Sequence, residues 1–154
     1  MPGVEKIISG GQTGADRAAL DTAIRLNIPH GGYCPKGRVA EDGRIDARYL
    51  LEETESVDYR ERTELNVIHS DGTAVFTVSG ILDGGTKETA DFAKKHNKPL
   101  LRLKAVDESP VSELAYFIGK YEIKVLNVAG PRASREPGVG AFVDRVLSEA
   151  LAEA

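Results

Sequence analysis

The sequence has one cysteine and no long apolar run, and each of these shortages excludes a class of protein. The lone cysteine, Cys34, rules out an internal disulfide framework and agrees with a reducing cytoplasm. The apolar runs fall far short of the ~18 residues that a membrane-spanning helix needs. Residues 1–6 carry an acid and no apolar stretch of the kind that a secretory signal requires. The sequence therefore predicts a soluble, cytoplasmic protein.

Charge and aromatic content argue against a broad nucleic-acid surface. The formal net charge is -4, acids and bases are interspersed, and aromatic residues make up 6% of the chain. Single-strand binding proteins instead combine a basic groove with aromatic side chains on which bases stack. Nucleic acid is therefore a disfavoured partner, and any site for an anion must be local.

Apolar runs alternate with helical patterns along the 154 residues. Strands are predicted at 4–9, 29–34, 73–78, 99–104 and 123–128, and helices at 15–26, 62–70, 86–96, 110–120 and 139–152. A polar stretch between them, 35–59, is the least regular part. Strands that alternate with helices are typical of βαβ units. The sequence therefore predicts a single α/β domain over 1–154, with a Rossmann-like, doubly wound, mostly parallel sheet of about five strands and helices on both faces.

The first loop joins a strand to a helix through three glycines, in "SGGQTGADR" at 9–17. Gly10, Gly11 and Gly14 permit positive φ and close approach of a ligand, and the first N–H groups of the following helix point outward. Phosphate is the usual occupant of such a turn. The segment is not the dinucleotide fingerprint, because Ser9 stands where its first glycine falls, nor a P-loop, because no Gly-Lys-Ser/Thr follows. Close packing is the alternative use of these glycines.

Three later loops repeat parts of this design. The segment "CPKGR" at 34–38 places two cations around a glycine, which suggests either a second anionic group on the ligand or a solvated basic turn. "SGILDGGTK" at 79–87 and "GPRASREPG" at 130–138 bring glycines to two more helix starts. Ligands of such sheets bind outside the carboxyl ends of the strands, so these loops are expected to share one crevice. The cations expected to flank it are Lys36, Arg38, Arg132 and Arg135.

Metal and nucleophilic chemistry finds little support in the sequence. His30, His69 and His96 have no ligand spacing with one another or with Cys34. We interpret Cys34 as a small buried hydrophobe. Carboxylates near helix starts, such as Asp16, are accounted for by the helix dipole.

A second group of polar residues lies in "YRERTELN" at 59–66. Tyr59, Arg62, Thr63 and Asn66 fall on or near one face of a short helix that leads into the third strand. The pattern favours a polar outer face for this helix.

Seven linked motifs appear in order along nearly the whole chain: "GGQTGADRAALD", "GGYCPKGRVAEDGRI", "RYLLEET", "YRERTELNV", "SDGT", "DGGT" and "LNVAGPRASREPG". With them the chain resembles the molybdenum cofactor carrier family, a circularly permuted, YpsA-like branch of the SLOG superfamily of Rossmann-like proteins. The resemblance implies that the crevice binds the molybdenum cofactor, a pterin with a dithiolene and a terminal phosphate. It also implies a homo-oligomer, either a dimer or a tetramer.

The resemblance further implies which residues would touch the ligand. The phosphate or another oxyanion would meet the first glycine loop, and the other loops would line the rest of the crevice. The cofactor-binding residues implied in this way are Gly10, Gly11, Gln12, Thr13, Gly14, Arg17, Lys36, Arg38, Gly84, Gly85, Thr86, Arg132 and Ser134. No catalytic or metal-ligating residue is among them.

One departure from the relatives bears on catalysis. The related phosphoribohydrolases carry P-G-G-x-G-T-x-x-E, whose glutamate does the acid–base work. Here "DGGTKET" at 83–89 lacks the proline and the second glycine step, and Thr89 stands where that glutamate is expected. Glu88 is one residue away and points about 100° elsewhere on a helix. We therefore expect a non-catalytic carrier of a phosphorylated anionic small molecule; the alternative is a nucleotide or nucleotide-sugar hydrolase that uses Glu88 or Asp83.

Overall fold

Five parallel strands form the central sheet of the computed structural model, which describes residues 3–152. The strands of the chain are β1 (Lys6–Ile8), β2 (His30–Gly31), β3 (Tyr33–Cys34), β4 (Val39–Ala40), β5 (Gly43–Arg44), β6 (Glu52–Glu53), β7 (Gly72–Thr77), β8 (Leu100–Lys104) and β9 (Val125–Ala129). The helices are α1 (Ala15–Arg25), α2 (Tyr59–Ile68), α3 (Gly84–Lys95), α4 (Pro110–Lys120) and α5 (Val139–Leu151). The predicted α/β class and the five-stranded sheet are confirmed. The first two and last two residues of the predicted domain lie outside the described residues.

The strand order of the central sheet is β2, β1, β9, β7, β8. The last strand of the chain therefore lies in the middle, with Ile7 of β1 opposite Leu126 and Thr73 of β7 opposite Asn127. All four neighbouring pairs are parallel, so the carboxyl ends of β1, β9 and β7 lie side by side at one edge. This order brings the loops after these three strands together.

Helices cover both faces of the sheet. On one face α1, α4 and α5 pack against the strands around a large apolar cluster that includes Phe76, Leu126 and Val143. On the other face α2 packs against α3, and Val67, Phe92 and Ala93 form a smaller cluster there. β7 is buried at all six positions, which agrees with a sequence that has no charged residue and does not alternate between polar and apolar. No helix within 3–152 is long and apolar enough to cross a membrane.

The irregular stretch forms two small pairs of strands. The predicted strand at 29–34 is divided, because Gly32 turns the chain at φ 126°, so that β2 pairs with β1 while β3 pairs with β6. β4 and β5 form a short antiparallel hairpin. This region packs on Leu20 of α1 through Cys34, Ile45 and Tyr49. Ala40 belongs to the same cluster and Leu51 packs against it, while most other side chains of this stretch are exposed, which agrees with its polar sequence.

Hydroxyl side chains near three helix starts make no capping hydrogen bonds. Gly14 is the N-cap of α1, and the hydroxyl of Thr13 instead accepts a hydrogen bond from the Ala133 N–H at 3.1 Å. Thr86 lies inside the first turn of α3, whose N-cap is Asp83. Ser109 is the N-cap of α4, yet its side chain makes no capping hydrogen bond.

Gly130 and Gly119 offer a matched test of the packing at the end of β9. A Cβ on Gly130 would lie 2.4 Å from the Phe76 carbonyl oxygen and 2.6 Å from the Ala15 Cβ, whereas one on Gly119 in α4 would meet nothing within 4 Å. We expect Gly130→Ala to lower the free energy of unfolding by about 1–3 kcal/mol through overpacking. Gly119→Ala should raise it by roughly 0.5–1 kcal/mol, because alanine favours helix. Urea unfolding of both variants checks this, and equal effects would contradict the packing described here.

Candidate functional site

A cleft opens where the carboxyl ends of β1, β9 and β7 meet. Its outer part, of about 150 Å³, lies between the first glycine loop, the start of α3 at 83–86 and the loop after β9 at 130–135. A deeper chamber of about 40 Å³ continues from it to Asn127 on β9 and to the inner face of α2. Arg62 and Asp16 line both parts. Three of the four loops predicted to share a crevice therefore border it, and the segment 34–38 does not.

Arg62 and Asp16 form a buried ion pair at the floor of the cleft. The Nη1 atom of Arg62 lies 3.3 Å from Oδ2 of Asp16, and both side chains are 10% exposed. The same carboxylate accepts the Gln12 N–H at 3.3 Å. Gly10 makes room for the guanidinium, since a Cβ there would lie 1.6 Å from the Arg62 Nη1. Burial raises the pKa of Asp16, against the lowering effect of the Arg62 charge.

Two buried nitrogen donors at this floor have no hydrogen-bond partner within 3–152. They are Nε2 of Gln12 and Nε of Arg62, on residues that are 5% and 8% exposed. Gln12 borders the outer cleft and Arg62 borders both parts. A buried donor without an acceptor costs about 1–3 kcal/mol, so an oxyanion that accepts from both would remove that cost.

The prediction that the polar residues of α2 face solvent is wrong. Arg62, Thr63 and Asn66 are buried and line the deep chamber, so they are not a polar outer face. Asn66 also pairs with the backbone of Tyr33 in both directions, at 2.9 and 3.0 Å, and so fixes α2 against β3. The missed signal was the polar residue inside an apolar strand, Asn127, which is 2% exposed and faces this chamber.

One glycine of the first loop borders the cleft, and the other two allow close packing of the loop. Gly10 borders the deep chamber. Gly11 adopts φ +79° and a Cβ on it would meet Leu51 at 2.6 Å, while a Cβ on Gly14 would meet the Pro131 carbonyl oxygen at 2.5 Å. Gly11 and Gly14 therefore serve the packing of this loop against its neighbours.

Three residues predicted to contact the ligand instead donate hydrogen bonds to carboxylates of the same chain. Arg17 donates to Asp42 at 2.9 and 3.2 Å and to the Gly11 carbonyl oxygen at 3.1 Å. The hydroxyls of Thr13 and Ser134 both donate to the Glu41 carboxylate. The donors of these residues face the β4–β5 hairpin.

The two cations of the segment 34–38 lie away from the cleft. The Arg38 guanidinium is buried and donates to four carbonyl oxygens of 45–51, at 2.7 to 3.4 Å, so it holds that loop in place. Lys36 is exposed and lines neither part of the cleft. The predicted second anion contact from this segment has no support in the structure.

The remaining predicted residues do border the cleft. Gly84, Gly85 and Thr86 open α3 at its rim, where the first N–H groups of a helix lack intrahelical partners. Arg132 lies opposite, 5.6 Å from the Tyr59 ring, and has no ion pair within the described residues. Arg135 also lines the rim, but it pairs with Asp83 at 2.8 Å.

Catalytic and metal-binding groups are sparse in the described part of the chain. No cluster of three or more His, Cys, Asp or Glu residues within 3–152 could hold a metal ion. Cys34 is fully buried in an apolar cluster, and burial raises the pKa of its thiol. Thr89 borders the deep chamber and donates its hydroxyl to the Gly85 carbonyl oxygen, whereas Glu88 pairs with Arg60 at 3.8 Å.

Two comparisons with known proteins match this chain. The model of the circularly permuted YpsA SLOG family matches residues 7–151. A crystal structure at 1.45 Å resolution from Syntrophus aciditrophicus SB, called a putative molybdenum carrier protein, is 46% identical, with a TM-score of 0.90 over 97% of this chain and 96% of that one. No curated protein matches the chain at a significant level.

The pKa values of Asp16 and Asp42 predict opposite effects of pH. Because the pKa of Asp16 is raised in the fold, its protonated form is favoured there, and the wild type should lose stability relative to Asp16→Asn as pH rises from about 3.9 through the folded value. Hydrogen bonds from Arg17 lower the pKa of the exposed Asp42. The stability of the wild type relative to Asp42→Asn should therefore rise slightly as pH increases through the acid range to about 3.9. Urea unfolding across a pH series checks both slopes. Slopes of the same sign would contradict the buried position of Asp16.

Proposed function

The chain belongs to the circularly permuted YpsA SLOG family, and from that premise we propose that it is a non-catalytic binding protein for a phosphorylated small molecule. The anionic group of the ligand enters the cleft between the three glycine loops. It accepts hydrogen bonds at the floor from Gln12 and Arg62 and at the rim from the first turn of α3.

The unpartnered donors at the floor carry this proposal. Gln12 Nε2 and Arg62 Nε are the buried side-chain polar atoms without a partner among the described residues, and both residues border one cleft. Hydrogen bonds to a charged group contribute about 1.5–3 kcal/mol each, enough to favour an oxyanion over water at this position. The Asp16 carboxylate neutralises the charge of Arg62. The positive charge that attracts the anion therefore comes from Arg132.

The volume of the cleft restricts how the ligand sits. The outer cleft of about 150 Å³ and the chamber of about 40 Å³ are smaller than the ~300 Å³ or more of pockets that enclose a drug-sized ligand. The cleft, which Arg132 borders, therefore takes the anionic end of the ligand and leaves the body outside the rim.

Among phosphorylated ligands we propose the molybdenum cofactor. The motif resemblance implies it, and a relative that is 46% identical is called a putative molybdenum carrier protein. The residues present fit its terminal phosphate, because the floor offers donors without partners. The cofactor is cargo here, and the chain's residues bind and shield it.

A hydrolase is the second candidate, favoured by one observation. Asp16 is a buried carboxyl with a raised pKa beside the cleft, a combination found in general acids. Against it, α3 places Thr89 and no carboxylate in the deep chamber, and Asp16 is already bound to Arg62 and the Gln12 N–H.

Arg132 and Lys36 separate this cleft from general surface charge. Both substitutions to alanine remove one positive charge, but only Arg132 borders the cleft. Arg132→Ala should weaken binding of inorganic phosphate by about 1.5–3 kcal/mol, roughly 10- to 150-fold, because a charged hydrogen-bond donor is lost. Lys36→Ala should leave the affinity almost unchanged. Isothermal titration calorimetry checks both, and equal losses would place the anion elsewhere.

Turnover and cargo can be tested on the purified wild type. We expect a panel of nucleoside monophosphates to release no free base, because α3 supplies no acid–base carboxylate. Release of base that is abolished in Asp16→Asn would instead support the hydrolase. Native mass spectrometry of the protein as purified should show a bound phosphorylated small molecule, and its molybdenum content tests the cofactor assignment separately.

A further inference from the structure

The tip of the β4–β5 hairpin reaches across to two loops of the cleft. The Glu41 carboxylate accepts the Thr13 hydroxyl, the Ser134 N–H at 3.2 Å and the Ser134 hydroxyl at 2.5 Å. Thr13 follows β1 and Ser134 follows β9, so the carboxylate joins two adjacent loops. Hydrogen bonds from Ser134 and Thr13 hold the pKa of Glu41 below its ordinary value.

These donors form an oxyanion cradle, made of Thr13 and Ser134. One backbone N–H and two hydroxyls converge on a single carboxylate, the arrangement that proteins use for phosphate. The Ala133 N–H donates to the Thr13 hydroxyl oxygen at 3.1 Å and so orients its proton toward the anion. Glu41 itself is exposed, so the cradle opens to solvent.

The cradle adjoins the cleft through one side chain. The Oε1 atom of Gln12 accepts the Glu41 N–H at 2.8 Å and the Thr13 N–H at 3.0 Å. These bonds fix the carboxamide so that its Nε2, which has no partner among the described residues, remains for the cleft. Arg132 borders the cleft and also attracts the Glu41 carboxylate.

We propose that Thr13 and Ser134 form a second oxyanion subsite, which the Glu41 carboxylate fills and which a phosphate group takes when the hairpin tip moves away. This deepens the proposed function, on which it rests: the ligand class becomes one with two anionic groups, the first at the floor of the cleft and the second in the cradle. Glu41 acts as an internal competitor for the second group.

The hairpin is built so that its tip can leave while its base stays. β4 and β5 pair over only two residues each, Glu41 and Asp42 form the turn between them, and Gly43 follows the turn at φ 112°. The base is anchored by buried Ala40 and Ile45. The tip is held at three points: the Glu41 carboxylate in the cradle, the Glu41 N–H on Gln12 and Asp42 on Arg17. Both carboxylates of the tip are exposed, so water can replace their hydrogen bonds when the tip leaves.

Calorimetric titration with inorganic phosphate and with pyrophosphate tests this on the full chain. Glu41→Ala should bind a second phosphate ion and bind pyrophosphate about tenfold more tightly than the wild type, since an anion no longer has to displace a carboxylate bonded to three donors. Glu41→Gln keeps a hydrogen-bonding group in place. It should change phosphate binding and pyrophosphate affinity in the same direction as Glu41→Ala, but by less. The matched control, Asp42→Asn, loosens the same hairpin tip without vacating the cradle and should behave as the wild type does.

The outcomes separate the two proposals. If Glu41→Ala and Glu41→Gln keep the wild-type stoichiometry and affinity, or bind either anion more weakly, Glu41 only fastens the loops and the second subsite is wrong. Thermal unfolding of each variant shows whether the loops remain folded. If the wild type binds no phosphate but Glu41→Ala binds one ion, the result contradicts the proposed site at the floor and supports the subsite in the cradle. Loss of that ion in Glu41→Ala/Ser134→Ala assigns it to the cradle.

Discussion

The geometry of the cleft depends on the buried pair of Arg62 and Asp16. Breaking such a pair by removing one partner costs about 3–5 kcal/mol, yet replacing both partners by apolar residues is often neutral or stabilising. Stability alone therefore does not account for a guanidinium and a carboxylate in this position. What the pair does provide is a fixed guanidinium at the floor, with one edge held by Asp16 at 3.3 Å and with Nε left without a partner among the described residues. Gly10 is part of the same constraint, because any side chain there would occupy the space of Arg62.

The position of β9 in the sheet brings three loops together around this ion pair. Since β9 lies between β1 and β7, the loop that follows the last strand meets both the first glycine loop and the start of α3. Gly130 passes between Phe76 and Ala15 at distances that leave no room for a Cβ, and Gly14 is equally close to Pro131. The glycines of adjacent loops thus let three walls approach one another. Each wall then contributes a different donor: Gln12, the first turn of α3, and Arg132.

Local patterns in the sequence predicted the elements well, and contacts between distant segments are where prediction failed. The helix at 110–120 was predicted with its observed bounds, because Pro110 fits a first turn and the apolar spacing is regular. Arg38, Arg17 and Ser134 were expected at the ligand, but their partners are carbonyls and carboxylates that lie up to 93 positions away in the chain. No local signal identifies such partners. The inward face of α2 was missed for the converse reason: polar residues on a helix usually face solvent, and only the position of the chamber reverses that rule.

The acids of this chain determine which cations and hydroxyls remain for a ligand. At the rim, Arg135 is bound to Asp83, Arg17 to Asp42, and Thr13 and Ser134 to Glu41. In a chain with net charge -4, such pairing removes most of the exposed positive field around the cleft. Attraction of an anion therefore falls to Arg132 and to the donors at the floor, which act over short distances and in partial isolation from water, where electrostatic interactions are stronger. A ligand with one anionic group needs only the floor, whereas one with two must also exchange an acid at the rim. If the proposed second subsite holds, that exchange makes the hairpin tip discriminate between ligands with one and with two anionic groups.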